Sequence, residues 1–187
     1  MPDRKSGSDR RSAGRFRAAA ALPAVAALLL AGPLDAASPS PDSFFRRDAA
    51  LRAFAGVQHA AVTFPAGRVI SAEIADTSER VMYGYMYRTE VRDDEGMVFV
   101  YPEPGVHSFW MKNTLVPLDI IWLADDFSII HMEVPAPPCK ADPCPSYGPM
   151  RVSRYILEAR AGTAARERLK PGDRISIVFP GEAGGAR

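Results

Sequence analysis

Short apolar runs separated by turns dominate the chain from His59 to Phe179 and restrict its fold more than any other feature. The runs "HAAVTF", "RVISAEIA", "GMVFVY", "LDIIWL" and "RISIVF" are rich in β-branched and aromatic residues and have turn residues between them. "PAG" joins the first two and places Gly67 at the turn of a predicted hairpin. The later runs have no crossover helices between them, which favours antiparallel meander pairing. We expect an α+β, β-rich fold with a mostly antiparallel bent sheet or partly closed barrel, about eight strands and two short helices.

The two helices are predicted from local patterns. Asp76 followed by Glu79 fits a capping box, and "TSERVMYGYMYR" continues it with apolar residues at helical spacing. Arg88 should close this helix, where a cation suits the helix dipole. The second helix is expected in "GTAARERL".

The N-terminal segment has the pattern of a secretory signal peptide, which we assign to residues 1–37. Arginines precede an uncharged run over residues 18–34, and small residues then allow cleavage near Ala36 or Ala37. At 17 residues, the run is short for a membrane span, which needs about 20 apolar residues. We therefore expect a periplasmic or secreted protein with no membrane span after cleavage, with an uncleaved anchor helix as the alternative.

The rest of the chain is expected to form one domain. We assign residues 38–57 to a linker that can include one helical turn, 58–180 to a single β-rich domain and 181–187 to a disordered tail. Residues 38–187 carry 17 basic and 19 acidic side chains, a net charge of two negative. This composition lacks the basic surface that supplies most nucleic-acid affinity, so no nucleic-acid partner is expected.

Two cysteines, Cys139 and Cys144, lie in the proline-rich segment "PPCKADPCP". In an oxidising compartment, two close cysteines in such a loop are expected to form a disulfide with each other. The alternative is a thiol-redox or copper module, but four residues separate the cysteines instead of the two of a thioredoxin-type motif. We expect no cofactor and no resident metal.

A candidate binding site lies in "SFWMKNTLVPLDI", residues 108–120. Strand alternation places Trp110 and Lys112 on one face, opposite apolar neighbours. Trp110 would supply a flat surface for a sugar ring or an apolar group, while Lys112 and Asn113 would supply donors at its edge. Arg88 would add a second cation, and Asp119 would hold the loop in shape. Such a site suits a small polar or anionic ligand, either a free small molecule or a component of the cell envelope.

Asp119 has two interpretations. It shares a strand face with Ile121 and Leu123, so its carboxylate should be partly buried and needs partners. It could accept backbone N–H groups from the turn at residues 113–117, or it could act in acid–base chemistry with Glu158 or Glu95. Because the sequence has no nucleophilic serine motif, phosphate loop or zinc-protease signature, the leading interpretation is a non-catalytic binding module, with a carboxylate-dependent hydrolase or transferase as the alternative.

Three segments carry a resemblance to a known family. "EGMVFVYPEP", "SFWMKNTLVPLDIIW" and "LKPGD", in this order, make the chain similar to the domain of unknown function 192 family from about Val62 to Phe179. Tyr85 replaces the leucine expected in the family's helix motif, a change that should affect packing more than chemistry. The resemblance implies a small secreted or membrane-anchored β-rich domain and leaves its biochemical activity open.

Overall fold

The computed structural model describes residues 41–181, which contain three helices and nine strands. The helices are α1 (Pro41–Ala53), α2 (Ser78–Tyr83) and α3 (Thr163–Arg166). The strands are β1 (His59–Thr63), β2 (Val69–Ala75), β3 (Glu95–Gly105), β4 (Phe109–Trp110), β5 (Leu118–Leu123), β6 (Ile129–Ala136), β7 (Ser146–Tyr147), β8 (Ser153–Arg160) and β9 (Ser176–Val178). The predicted signal peptide and nearly all of the predicted tail lie outside the described residues. In the part that is described, no helix is both long enough and apolar enough to span a membrane.

Seven strands form one curled sheet in the order β6-β5-β8-β3-β2-β1-β9, while β4 and β7 form a separate pair. The β-rich, mostly antiparallel fold is confirmed, as is the hairpin of β1 and β2. The predicted meander pairing holds for the neighbouring strands β5 and β6 but is wrong for β3 and β5, because β8 pairs with both of these and separates them. In addition, β2 and β3 are parallel, with α2 in the connection that parallel pairing requires.

Backbone contacts between the two ends of this strand order partly close the barrel. Ser128, just before β6, forms an antiparallel bridge with Arg174, just before β9. The N–H of Ile129 donates to the carbonyl of Asp173 at 2.8 Å, and the N–H of Gly172 donates to the carbonyl of Ile129 at 2.8 Å. The partly closed barrel is therefore confirmed.

Buried side chains form two clusters, one on each face of the sheet. The inner cluster fills the barrel and comprises Ala60, Val62, Phe64, Ile70, Ala72, Ile74, Val98, Ile121, Leu123, Ile129, Leu157, Ala159, Ala164, Leu169, Ile175 and Ile177. The outer cluster comprises Ala75, Tyr85, Val91, Met97, Phe99, Phe109, Met111, Leu118, Ile120, Trp122, Ala136 and Ile156. Strand alternation distributes neighbouring residues of β5 and β8 between the two clusters.

The first helix differs from the prediction. Residues 38–57 were expected to be a linker, but Pro41–Ala53 form a helix of 13 residues. Tertiary contacts stabilise it: Ala50 is buried, Phe54 packs against the outer cluster, and Nε of Arg80 donates to the carbonyl of Ala53 at 3.0 Å. Packing of this kind compensates for a segment with little helical amphipathicity of its own.

The second helix is shorter than predicted. Its N-cap is Thr77, whose side chain accepts the N–H of Arg80, so the predicted cap at Asp76 is wrong by one residue. The helix ends at Tyr83 because Gly84 follows with φ of 47° and ψ of −130°, a backbone conformation that residues with a side chain rarely adopt. Arg88 therefore lies beyond the helix end and does not close it.

Candidate functional site

Trp110 is presented outward by a strand whose other face is buried. Phe109 and Met111 belong to the outer cluster, whereas Trp110 is 51% exposed, as the alternation predicted. Two contacts fix the surrounding backbone: Nε1 of Trp122 donates to the carbonyl of His107 at 2.9 Å, and the N–H of Cys139 donates to the carbonyl of Met111 at 3.3 Å. The indole therefore stands on a well-anchored segment although half of its surface faces solvent.

Lys112 lies beside Trp110, as expected, but it already has an anionic partner. Its Nζ is 5.7 Å from the centroid of the Trp110 ring, within the range of a cation–π contact. The same Nζ donates to both carboxylate oxygens of Asp142, at 3.0 and 3.1 Å. Because Asp142 lies between the two cysteines, the pair connects the Trp110 segment to the cysteine loop.

Asn113 has a conformational role in this segment. Its φ is 57°, in the left-handed region that asparagine tolerates better than most residues. Its carbonyl accepts the N–H of Tyr87 at 2.9 Å, and its Nδ2 lies 3.9 Å from Sδ of Met86. These contacts tie the loop after α2 to the Trp110 segment, and the second one engages the side-chain amide that the sequence had suggested as a ligand donor.

Arg88 is held by another carboxylate. Two of its nitrogens donate to the two carboxylate oxygens of Glu73, at 2.6 and 2.7 Å. Its guanidinium also lies over the rings of Phe54 and Tyr85, at 4.9 and 5.0 Å from their centroids. This half-buried bidentate pair has the geometry of a structural contact, so Arg88 is not the free second cation that was expected.

Asp119 is buried inside the barrel, on the face opposite the outer cluster. Its Oδ2 accepts the N–H of Ala164 at 2.7 Å, which caps the start of α3. Burial raises the pKa of Asp119, and the backbone N–H groups at residues 162–164 oppose that shift. The expectation that this carboxylate is buried holds, but the expected partner is wrong: Asp119 accepts a hydrogen bond from α3 and not from the turn at residues 113–117. A cavity of about 280 Å³ beside it is lined by residues of β6, of α3 and of the chain that follows α3, among them Pro135, Ala165 and Arg168.

Glu158 is a buried carboxyl group that lines the same cavity as Trp110. It is 4% exposed and lines a cavity of about 30 Å³, here called the Trp110 cavity, together with Gly84, Phe99, Trp110 and Thr114. Its Oε2 has no hydrogen-bond partner among residues 41–181. Burial raises the pKa of Glu158 to about 8, and the positive charge of nearby Arg88 partly opposes this shift. The sequence feature that pointed to this residue is a glutamate inside the apolar strand "YILEAR", which was interpreted as an acid–base partner of Asp119.

The expected carboxylate pairs do not form. In the register of β5 and β8, Asp119 is opposite Ala159 and Glu158 is opposite Ile120. Because side chains alternate along each strand, Asp119 points into the barrel and Glu158 points out of it. Glu95 shares the outward face of β3 with Met97 and pairs with Arg92 at 3.4 Å. Asp119 therefore shares a site with neither glutamate.

The two cysteines form the predicted disulfide, with Cα atoms 5.6 Å apart. Neither sulfur is then available as a thiolate for redox exchange or for a soft metal. Within residues 41–181, no three His, Cys, Asp or Glu side chains come together in a way that could hold a metal ion.

Replacing both Cys139 and Cys144 by serine should lower the free energy of unfolding by about 2 kcal/mol, the loop-closure entropy of a short cross-link. Urea denaturation under oxidising conditions measures the difference. Added dithiothreitol should bring the wild-type protein to the stability of the double variant and leave the variant unchanged. Equal stability of the oxidised wild type and the variant would show that other contacts, such as that of Lys112 with Asp142, fix the loop.

The chain was compared with known proteins. The sequence profile of DUF192, a family described as an uncharacterized ACR, matches residues 61–177. A solved protein of unknown function from Novosphingobium aromaticivorans DSM 12444 is 35% identical, with 64% of this chain and 84% of that chain covered and a TM-score of 0.58. A solved protein from Sinorhizobium meliloti 1021, described as a candidate transcription regulator, is 30% identical, with 64% and 92% covered and a TM-score of 0.56. No curated protein matches. Since the profile match spans more than half of its residues, this chain belongs to the domain of unknown function 192 family.

Proposed function

We propose that this protein is a non-catalytic, exported binding module that takes up a small polar ligand at the Trp110 cavity. The observation that carries the proposal is the half-exposed indole of Trp110 beside a cavity that contains the buried carboxyl of Glu158. An aromatic wall next to a few polar groups is typical of small-molecule sites. An indole that served only to fill a core would lose most of its exposed surface.

The charges around the cavity favour an uncharged polar ligand over an anionic one. Lys112 is paired with Asp142, and Arg88 is paired with Glu73. An anionic ligand would have to compete with these carboxylates for the same cations. This narrows the ligand expected from the sequence, which was small and either polar or anionic.

The positions of the carboxylates support a binding role over a hydrolase or transferase. Acid–base catalysis by Asp119 with a second carboxylate needs both groups at one reacting bond. Asp119 lies inside the barrel against α3, whereas Glu158 faces the Trp110 cavity. Glu158 thus lacks the partner that the catalytic alternative had assigned to it.

The disulfide supports location in a periplasm or outside the cell, because such bonds persist in oxidising compartments. The ligand is then a small molecule or an envelope component that reaches that compartment. The description of the Sinorhizobium meliloti relative concerns regulation of transcription. We do not extend it to this chain, because residues 38–187 have a net charge of two negative.

Acrylamide quenching of tryptophan fluorescence tests the binding proposal, since Trp110 is half exposed and Trp122 is fully buried. Acrylamide should quench mainly Trp110, and a bound ligand should protect it. The probes are maltose, citrate and glycine amide, which represent an uncharged polyol, an organic anion and a small amide.

A matched pair of variants controls this experiment. Trp110→Phe should lose the protected component, whereas Met150→Leu, at another strongly exposed apolar residue, should retain it. If none of the three probes protects Trp110, or if Trp110→Phe leaves the protection intact, the proposed site is wrong.

A further inference from the structure

The floor of the Trp110 cavity is an unpartnered carboxyl group. Glu158 is more than nine-tenths buried, and its Oε2 has no hydrogen-bond partner among the described residues. Gly84 leaves this oxygen open: a methyl group added there would lie 3.6 Å from Oε2 of Glu158 and 3.2 Å from Cζ of Phe99. A buried polar atom without a partner costs free energy, which a ligand that supplies the missing hydrogen bond would recover.

The protonation state of Glu158 determines which ligand groups it suits. Burial raises its pKa to about 8, so the carboxyl is mostly protonated at neutral pH. The charge of Arg88, which is paired with Glu73, lowers the pKa of Glu158. Glu158 in turn raises the pKa of Tyr85 and of Tyr101. A protonated carboxyl donates one hydrogen bond and accepts others, and a hydroxyl group has the same capacity.

The size of the cavity limits what can enter it. About 30 Å³ holds a group the size of one water molecule or one hydroxyl, not a whole ring. A ligand that reaches Glu158 must therefore insert a single small polar group and leave the rest of its body outside. The exposed indole of Trp110, which also lines the cavity, is then available to contact that body.

We propose that the ligand of the Trp110 cavity is an uncharged carbohydrate. One sugar ring lies with its apolar face on the indole of Trp110, and one of its hydroxyl groups enters the cavity and hydrogen bonds to Glu158. This inference rests on the proposed binding function and names the class of its ligand. The pairing of Lys112 and of Arg88 with carboxylates leaves the surroundings suited to a neutral ring.

Isothermal titration calorimetry with defined probes tests the inference. The neutral probes are maltotriose, cellotriose and chitotriose; the comparison probes are trigalacturonate and trialanine amide. At least one neutral saccharide should bind, and Trp110→Ala should weaken that binding about tenfold or more, because alanine removes the aromatic surface on which the sugar ring lies.

Two variants of Glu158 separate its role in binding from its role in folding. Glu158→Gln keeps a donor and an acceptor in the cavity and should retain the affinity within about threefold. Glu158→Leu removes both and should weaken binding about tenfold or more, while thermal denaturation shows it to be folded. A saccharide that binds equally well to Glu158→Leu overturns the role of Glu158.

The remaining outcomes distinguish a failure of the carbohydrate inference from a failure of the proposed binding function. If trialanine amide or trigalacturonate binds in a Trp110-dependent way and none of the neutral saccharides does, the carbohydrate inference fails and the binding function stands. If no probe binds in a Trp110-dependent way, both fail.

Discussion

Glu158→Gln should become more stable than the wild-type protein as the pH rises. The difference between their free energies of unfolding should grow by on the order of 4 kcal/mol from pH 4 to pH 9. The pKa of Glu158 is about 8 in the folded protein because of burial, against 4.5 as its ordinary value. Between these values the folded chain holds a proton that the unfolded chain has lost. The stability of the wild-type protein therefore falls by about 1.4 kcal/mol per pH unit through this window. Glutamine does not titrate and escapes this loss.

Urea denaturation at half-unit steps from pH 4 to pH 9 measures the effect as the difference between wild type and variant. Glu103→Gln, at an exposed glutamate of β3, controls for the general effect of removing one carboxylate. A stability difference that stays constant across the range would mean that Glu158 ionises in the folded protein as readily as in the unfolded chain. Glu158 would then be a carboxylate that only accepts hydrogen bonds, and a ligand hydroxyl would have to donate to it.

Asp119→Ala should lower the free energy of unfolding by about 1–3 kcal/mol, because the buried N–H of Ala164 loses its acceptor. Asp119→Asn is the matched control, since its amide oxygen can still accept that N–H. The asparagine variant should recover at least half of the loss. Chemical denaturation of the three proteins at pH 7 gives both values.

The same variants test where Asp119 acts. Because Asp119 lies inside the barrel and Trp110 lies outside it, Asp119→Ala should leave ligand protection of Trp110 unchanged. An unaltered denaturation midpoint would show that the cap of α3 contributes little. A loss of ligand binding in a variant that remains folded would restore the role that the sequence had suggested for Asp119.

Features that depend on neighbouring residues could be predicted from the sequence. The β1–β2 hairpin follows from alternation around Gly67, the disulfide follows from two close cysteines, and the outward position of Trp110 follows from its apolar neighbours. Alternation also placed Asp119 with Ile121 correctly. In each case a local period of two residues or a short loop carries the information.

Features that depend on distant pairing could not be predicted in this way. The insertion of β8 between β3 and β5 sets Asp119 opposite Ala159, and only this register shows that Asp119 and Glu158 face opposite sides of the sheet. The ion pair of Arg88 with Glu73 likewise depends on how two separate segments pack together. The end of α2 could have been predicted from the sequence, because glycine commonly ends a helix and Gly84 follows Tyr83 directly. The predicted helix continued past this glycine.

The bridge between Ser128 and Arg174 has a consequence for self-association. An unpaired strand at a sheet edge can recruit the same strand of another molecule and start aggregation. Here the outermost strand on one side, β9, has three residues, while β6 on the other side contains Pro135 and has its first residues covered by the chain before β9. These edges offer little backbone for intermolecular pairing, which would let the folded protein reach high concentration without forming β-linked aggregates.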